Sequence, residues 1–353
     1  MEGDQNTVGS AIRFNLFESF ATSELTHSGI WAWILQSLDE NAPEVMHELR
    51  APARALMNRL DAPQVGPRVR VDREKKLPNP AGRVDIEVSS DGTPVLVIET
   101  KVKARPDLEQ LQRYGEAYEA MGHRPTVAIL STTIDDLFND REASFIGPKS
   151  LLDVLRAGEY DSDLMRQYVE WMDHNVRARQ AGIDAALGAA PAACAAALVS
   201  SAVQWAVMCR IGDAIGGPPA AGLFSGRNLG GSAWTQLCFS PYSPPDFDML
   251  FYRLEAWEGG GAQFTLRQYR KVADIGKQAR LEKLRQLFEA AAGPSMRIFD
   301  TSPKRAKKGA GEAQVAQVKI PHGTMGAVLD ALPQVHERFV ASLHQAGWPM
   351  GPC

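Results

Sequence analysis

The stretch RVDIEVSSDGTPVLVIETKV, Arg83–Val102, decides the fold. Arg83–Val88 alternates apolar and charged residues, the period of a strand. Asp91-Gly92 follows, a dipeptide that turns one strand back on another because both positions tolerate positive φ. Pro94–Val102 is β-branched and nearly all apolar at its start, the composition of a strand covered on both faces. The stretch therefore predicts a hairpin whose second strand lies inside a sheet.

Upstream, Val69 and Val71 alternate with charges and predict another strand. Before it, ELTHSGIWAWILQSLD, Glu24–Asp39, predicts a helix. Ser23 or Thr26 can cap it, and Leu25, Trp31, Ile34, Leu35 and Leu38 supply an apolar face. A second helix is expected after Pro43, ending near Leu60. Downstream, residues 107–121 predict an amphipathic helix, Thr126–Ser131 a buried strand, and residues near 149–157 and 163–181 two more helices.

The chain has 353 residues, 44% hydrophobic and 23% charged, which suits a globular protein of two domains with full cores. We place them at residues 1–181 and 182–353. No charge occurs between Asp184 and Arg210, which raises the question of a membrane span. Alanine is a poor membrane residue and Pro191 interrupts the run, so the reading is a flexible Ala/Gly joint and then a packed helix near 192–215. Strand candidates follow at Ala233–Phe239, Asp248–Trp257 and Gln263–Arg270, with glycines 259–261 as a turn. A helix near 274–291 comes next. The runs MRIFD and AQVAQVKI then flank the loop TSPKRAKKGAGE, and a last helix runs near 323–346. This half is expected to be a separate α+β unit. Trp205, Trp234 and Trp257 read as core rather than as stacking platforms.

Cys194, Cys209, Cys238 and Cys353 show no CxxC spacing and no histidine at zinc-ligand spacing, so they read as reduced bystanders. The polar start MEGDQNTVGS lacks the basic and apolar regions of a leader, and a cytoplasmic protein without a membrane anchor is expected. Residues 1–181 carry 21 Lys/Arg against 29 Asp/Glu, whereas residues 182–353 carry 17 against 13. An acidic half suits a site that gathers carboxylates, and a basic half suits a surface that meets phosphates.

Glu99 and Lys101 are two apart on one strand, so both side chains point to one face. Asp85 lies on the preceding strand and, with antiparallel pairing, comes close enough to share a cation with Glu99. Phosphodiester cleavage builds negative charge on the phosphate oxygens, which Mg²⁺ neutralises while acidifying a bound water. Mg²⁺ typically takes one or two protein carboxylates, here Asp85 and Glu99. Lys101 can orient the water or stabilise the transition state.

Asp85, the hairpin and Glu99-Thr100-Lys101 together resemble the PD-(D/E)xK nuclease superfamily. Gln110 and Tyr114 form a QxxxY pattern that resembles its exonuclease-like branch, and they share a helix face. Glu24-Leu25-Thr26-His27-Ser28, heading an apolar helix, resembles the first helix of bacterial members, where an early glutamate completes the acidic cluster. The proline of the motif is absent, since Val84 precedes Asp85. The resemblance covers residues 14–131. It implies a restriction-endonuclease-like α/β core, a mixed sheet flanked by helices, followed by a C-terminal α+β domain. It implies a metal site of Asp85, Glu99, Glu24 and the Thr100 carbonyl, with Gln110, Tyr114 and Lys101 in catalysis.

The function expected is Mg²⁺-dependent hydrolysis of nucleic acid, DNA preferred, leaving a 5′-phosphate, with Mn²⁺ as a substitute. A restriction, repair or defence role is an analogy at fold level. The alternative is a catalytically silent nuclease-fold module that binds nucleic acid or a protein. The second domain would recognise nucleic acid, a protein partner or another copy, with Lys304, Arg305, Lys307 and Lys308 contacting phosphates. Glu87, two residues after Asp85, could be mistaken for it, and His27 reads more readily as a polar residue of the helix start than as a site residue.

Overall fold

The computed structural model describes residues 15–19, 23–78, 80–102, 108–133, 144–216, 223–228, 231–239, 249–257, 259, 261–269, 277–293, 298–301, 312–320 and 324–348. In chain order, the N-terminal part contains α1 (Leu16–Ser19), α2 (Glu24–Gln36), a 3₁₀ turn (Glu44–Leu49) and α3 (Arg50–Arg59). There follow β1 (Val69–Lys76), β2 (Arg83–Ser90), β3 (Thr93–Lys101), α4 (Leu108–Ala120), β4 (Thr126–Ser131), β5 (Ser144–Ile146), α5 (Pro148–Leu155) and α6 (Asp163–Leu187).

The five strands form one sheet in sequence order. The β2–β3 hairpin is antiparallel and turns at Asp91 and Gly92, both at positive φ. β1 pairs antiparallel on the other side of β2, while β4 runs parallel to β3 and β5 parallel to β4. β3 thus has a partner on each side, as its apolar run predicts. β1 lies at the edge of the sheet.

The two faces of the sheet differ. Ile86, Val88, Leu96 and Ile98 join Trp31, Ile34, Leu35, Leu56 and Tyr168 in the larger core, beneath α2, α3, α5 and α6. Val97 and Ile129 instead pack with Leu111, Tyr114 and Tyr118 of α4. The helix at Glu24 begins as expected, with the Ser23 side chain accepting from Thr26 N. Leu25, however, does not belong to its apolar face: it is 56% exposed. The cause is its place in the first turn, where the helix face that meets the sheet is taken by His27, Ile30, Trp31 and Ile34.

The second half contains α7 (Pro191–Ala197), α8 (Ser201–Ala214), β6 (Leu223–Arg227), β7 (Ala233–Cys238), β8 (Met249–Trp257), β9 (Gly261–Tyr269), α9 (Lys277–Ala292), β10 (Glu312–Ile320) and α10 (Met325–Gln345). Its strands form an antiparallel sheet in the order β10-β9-β8-β7-β6, with the four helices packed on one face. The Ala/Gly stretch expected to be a flexible joint is helical. α6 runs on to Leu187, and α7 and α8 follow with a bend of 110°. Ile183, Ala186, Cys194 and Ala195 are buried in the second core, so small residues here allow close helix packing. Among the described residues, no single helix is long and apolar enough to cross a membrane.

Of the run MRIFD, the described residues Ile298–Asp300 contribute a bridge between Asp300 and Gln317. Trp205 is core, as expected, but Trp257 is 42% exposed. Its indole lies across Gly261, where a Cβ would come within 2.1 Å of the ring, so the side chain covers backbone rather than entering the core. Cys194, Cys209 and Cys238 are buried.

Candidate active site

Pairing of β2 with β3 ends at Ile86–Ile98, and Asp85 lies one residue beyond that point. Its carboxylate is free to turn across the strand end. Oδ2 accepts from the Thr100 backbone N at 2.8 Å and from Thr100 Oγ1 at 2.6 Å. Oδ1 accepts nothing among the described residues and remains available to a ligand. Glu99, on the adjacent strand, is only 5% exposed. Its Oε1 accepts from Lys101 Nζ at 2.6 Å and from Gln110 Nε2 at 3.0 Å. The period-two expectation for Glu99 and Lys101 is thus met directly, and the pair is buried rather than solvated.

α4 supplies the other wall. Gln110 and Tyr114, four apart, both face Glu99. Tyr114 lies with its hydroxyl 3.1 Å from Glu99 Oε2, donates to the Arg83 carbonyl and accepts from Gln110 Nε2. Burial, then the Glu99 charge, push the Tyr114 hydroxyl well above its ordinary range, so it stays a proton donor. The Arg83 carbonyl is the part of this network that sequence reading missed, because a backbone acceptor has no side-chain signature.

Glu24 approaches from the start of α2, with Oε1 3.3 Å from Val102 N. It stands at the end of β3, near enough for its charge to act on Lys101. Burial alone would lower the Lys101 ammonium, but the hydrogen bond and charge of Glu99 outweigh it, with Glu24 and Asp85 adding to them. Lys101 is consequently held above its usual range and is protonated at neutral pH. The Glu99 carboxylate also shifts upward, which for an acid disfavours the charged form. Burial and then the nearby Asp85 charge raise its pKa, against the opposing pull of Lys101 and Tyr114. A buried carboxylate whose pKa is raised with a second acid beside it marks a place where an added cation would be stabilised.

Glu87, the residue that could be mistaken for Asp85, is fully engaged elsewhere. Lys75 Nζ donates to it at 2.7 Å and Ser89 Oγ at 2.9 Å, and the Tyr118 hydroxyl donates to its other oxygen. One row along the same sheet face, it repeats the carboxylate–tyrosine pairing of Glu99 and Tyr114 but has a lysine from the edge strand. His27 is wholly buried, stacked on Trp171 at 4.7 Å between ring centroids and 3.2 Å from the Tyr168 hydroxyl. Burial lowers its pKa to about 4, so it is a neutral core residue. Lys304, Arg305, Lys307 and Lys308 lie outside the described residues.

The family model of the PD-(D/E)XK nuclease superfamily matches residues 14–129. This part of the chain is similar to the PD-(D/E)XK nuclease superfamily. The match takes in α1 through all but the last residues of β4, and therefore Glu24, Asp85, Glu99, Lys101, Gln110 and Tyr114. The mixed five-stranded sheet agrees with the restriction-endonuclease-like core that the superfamily implies. No curated protein and no solved structure matches the chain.

Nucleases of the PD-(D/E)XK type typically use a divalent cation. Among the described residues, no group of three or more His, Cys, Asp or Glu side chains is arranged to hold a metal ion. The oxygens of Asp85 and Glu99, with Glu24 at the strand end, nevertheless fit a hard cation that keeps several waters and needs only one or two carboxylates. The free Asp85 Oδ1 and the raised pKa of Glu99 are the marks of such a fit.

Proposed function

We propose that the chain is a metal-dependent nuclease hydrolysing phosphodiester bonds of nucleic acid, with DNA preferred. The observation that carries this reading is Glu99: a carboxylate held by Lys101, Gln110 and Tyr114, its pKa raised by burial and then by the Asp85 charge. Glu87, one row away, also has an acid across from it, Asp72, but its oxygens are taken by Lys75, Ser89 and Tyr118, whereas Asp85 beside Glu99 keeps Oδ1 open among the described residues.

Asp85 and Glu99 would hold Mg²⁺, with the Thr100 carbonyl and Glu24 as further oxygens and Mn²⁺ as a substitute. Bound there, the cation supplies neutralisation of phosphate charge and acidification of a water. The protein's own groups do the positioning. Thr100 N and Oγ1 fix one oxygen of Asp85, and Gln110 and Tyr114 fix the orientation of Glu99. Lys101, protonated at neutral pH, can hold the attacking water or stabilise charge on the phosphoryl oxygens. Attack by that water would leave a 5′-phosphate, and the second domain would serve recognition of nucleic acid, a partner or another copy.

The alternative is a silent nuclease-fold module that binds nucleic acid or a protein without cutting. One experiment separates the two. Purified protein is incubated with supercoiled, linear and single-stranded DNA and with RNA, in Mg²⁺, Mn²⁺ or EDTA. Cleavage of DNA that requires the cation supports the nuclease; cation-independent binding without cleavage supports the module.

A further inference from the structure

The N-terminal half is acidic, yet one short segment reverses the sign. Residues 68–83 carry six Lys/Arg against two Asp/Glu, within a half that holds 21 against 29. The structure turns this segment into an edge. Among the described residues β1 pairs only with β2, and Arg68, just before it, is followed along it by Arg70, Arg73, Lys75 and Lys76, with Asp72 and Glu74 between them. Alternate residues of a strand recur about every 6.7 Å, and the eight residues of β1 span roughly 23 Å. One end of this row adjoins the candidate active site. Lys75 pairs in register with Val84 and Lys76 with Arg83, so the row ends beside Asp85. The other end, at Arg68 and Arg70, is furthest from it.

The cations differ in how firmly they are held. The Arg68 and Arg70 side chains are 75% and 78% exposed, and their partners are Asp91 at 3.2 Å and Asp72 at 2.7 Å. Exposed pairs of this kind are weak because solvent screens them, so either arginine can exchange its carboxylate for a phosphate at little cost. Arg73 donates to the Leu25 carbonyl at 2.8 Å and to Ser28 Oγ at 3.3 Å, and has no carboxylate partner among the described residues. Lys75 is tied to the buried Glu87 and belongs to the scaffold. Arg68, Arg70, Arg73 and Lys75 line an open cavity of about 900 Å³ against the same sheet face as Glu87 and Tyr118, one row from Glu99. Acids line it too, among them Asp39, Asp72 and Asp91, which leaves the cavity without a strong net field and argues against a small free anion. A row of exchangeable cations suits a polyanion, whose repeated charges engage several weak sites at once.

We infer that the β1 edge, through Arg68, Arg70 and Lys76, carries the sugar–phosphate backbone of the substrate strand away from Asp85 and Glu99. The inference rests on the nuclease reading and assigns it a path. Phosphate binding of this type positions the strand without reading its sequence.

The test uses the full chain with Arg68→Gln, Arg70→Gln and Lys76→Gln combined, and a charge-keeping control with Arg68→Lys and Arg70→Lys. Binding of labelled oligonucleotides of increasing length is measured across a salt series with Ca²⁺ in place of Mg²⁺, and cleavage is measured with Mg²⁺. The triple variant should lose affinity for long oligonucleotides of every sequence, and its log–log salt slope should flatten by roughly 0.7–0.9 for each phosphate that the protein no longer neutralises. The control should retain the slope, and the rate at saturating substrate should hold. A triple variant with wild-type affinity and slope, beside a wild type that binds and cuts, overturns the path alone. A wild type that neither binds nor cuts any nucleic acid overturns both the path and the nuclease reading.

Discussion

Replacing Lys101 by methionine separates charge from packing at the candidate site. The change keeps most of the side-chain volume and removes the ammonium that lies 2.6 Å from Glu99 Oε1. The two side chains are 11% and 7% exposed, so the pair is buried, and the near-zero value of surface ion pairs does not apply. Removing one partner of a buried pair typically costs about 3–5 kcal/mol, because the other charge is left without compensation. Gln110 Nε2 and the Tyr114 hydroxyl still reach Glu99, which puts the expected loss at the lower end, about 3 kcal/mol. For a domain of this size that corresponds to a fall in Tm of roughly 6–12 °C. Catalysis should drop by about 100-fold or more, since a charge-stabilising group is gone. A divalent cation should now compensate the carboxylates that Lys101 no longer neutralises. Mg²⁺ should therefore raise the Tm of the variant more than that of the wild type, by up to about 2.7 kcal/mol of stabilisation at a hundredfold excess over Kd. The assay is a thermal melt with and without Mg²⁺, paired with nuclease rates on one DNA substrate. A variant that melts like the wild type, gains nothing extra from Mg²⁺ or keeps more than a tenth of the rate would refute this account of the Glu99–Lys101 pair.

Other outcomes follow from the same geometry. Asp85→Ala and Glu99→Ala should each reduce cleavage by about 100-fold or more while circular dichroism stays native; retention of a tenth of the rate in both would remove them from the chemistry. Tyr114→Phe should slow turnover roughly 10–100-fold by loosening a metal-side carboxylate. Tyr118→Phe, which leaves Glu87 one donor short, should instead cost stability of about 1–3 kcal/mol in a urea titration and leave turnover alone. The reverse pattern would mean that the two tyrosine rows have been assigned wrongly. His27 and His336 have folded pKa values lowered by burial to about 4 from 6.5, so the unfolded chain takes up their protons first as pH falls. Their contribution is full above about pH 6.5 and is lost on acidification toward pH 4, by up to roughly 3 kcal/mol each. Urea titrations of the wild type and of His27→Phe check it, and an equal pH slope in both would exclude His27.

How much of this was legible in the sequence depends on the range over which each feature is encoded. Glu99 and Lys101 were placed on one face by strand period alone, and Gln110 and Tyr114 by helical period. The β2–β3 hairpin was legible because Asp91-Gly92 is a local conformational signal. Ser23 as the α2 cap was legible for the same reason. The elements that escaped were short or depended on neighbours. β5 and β6, three and five residues long, carry too few alternating positions to be distinguished from loop. The basic character of the β1 edge was hidden by averaging charge over 181 residues.

By itself, then, the sequence determined the longer strands and helices of the first half, though not α1 or β5, and the identity of the residues that share a strand or helix face. Those follow from backbone periods of two and 3.6 residues. Tertiary structure alone decided that Asp85 turns to Thr100 while Glu87 turns to Lys75 and Tyr118, although the two acids share a strand and a local pattern. It also decided that His27 is buried while Leu25 is exposed, and that the Glu99–Lys101 pair is covered. Each of these depends on which distant side chain arrives alongside, in position and charge, and no period along the chain records that.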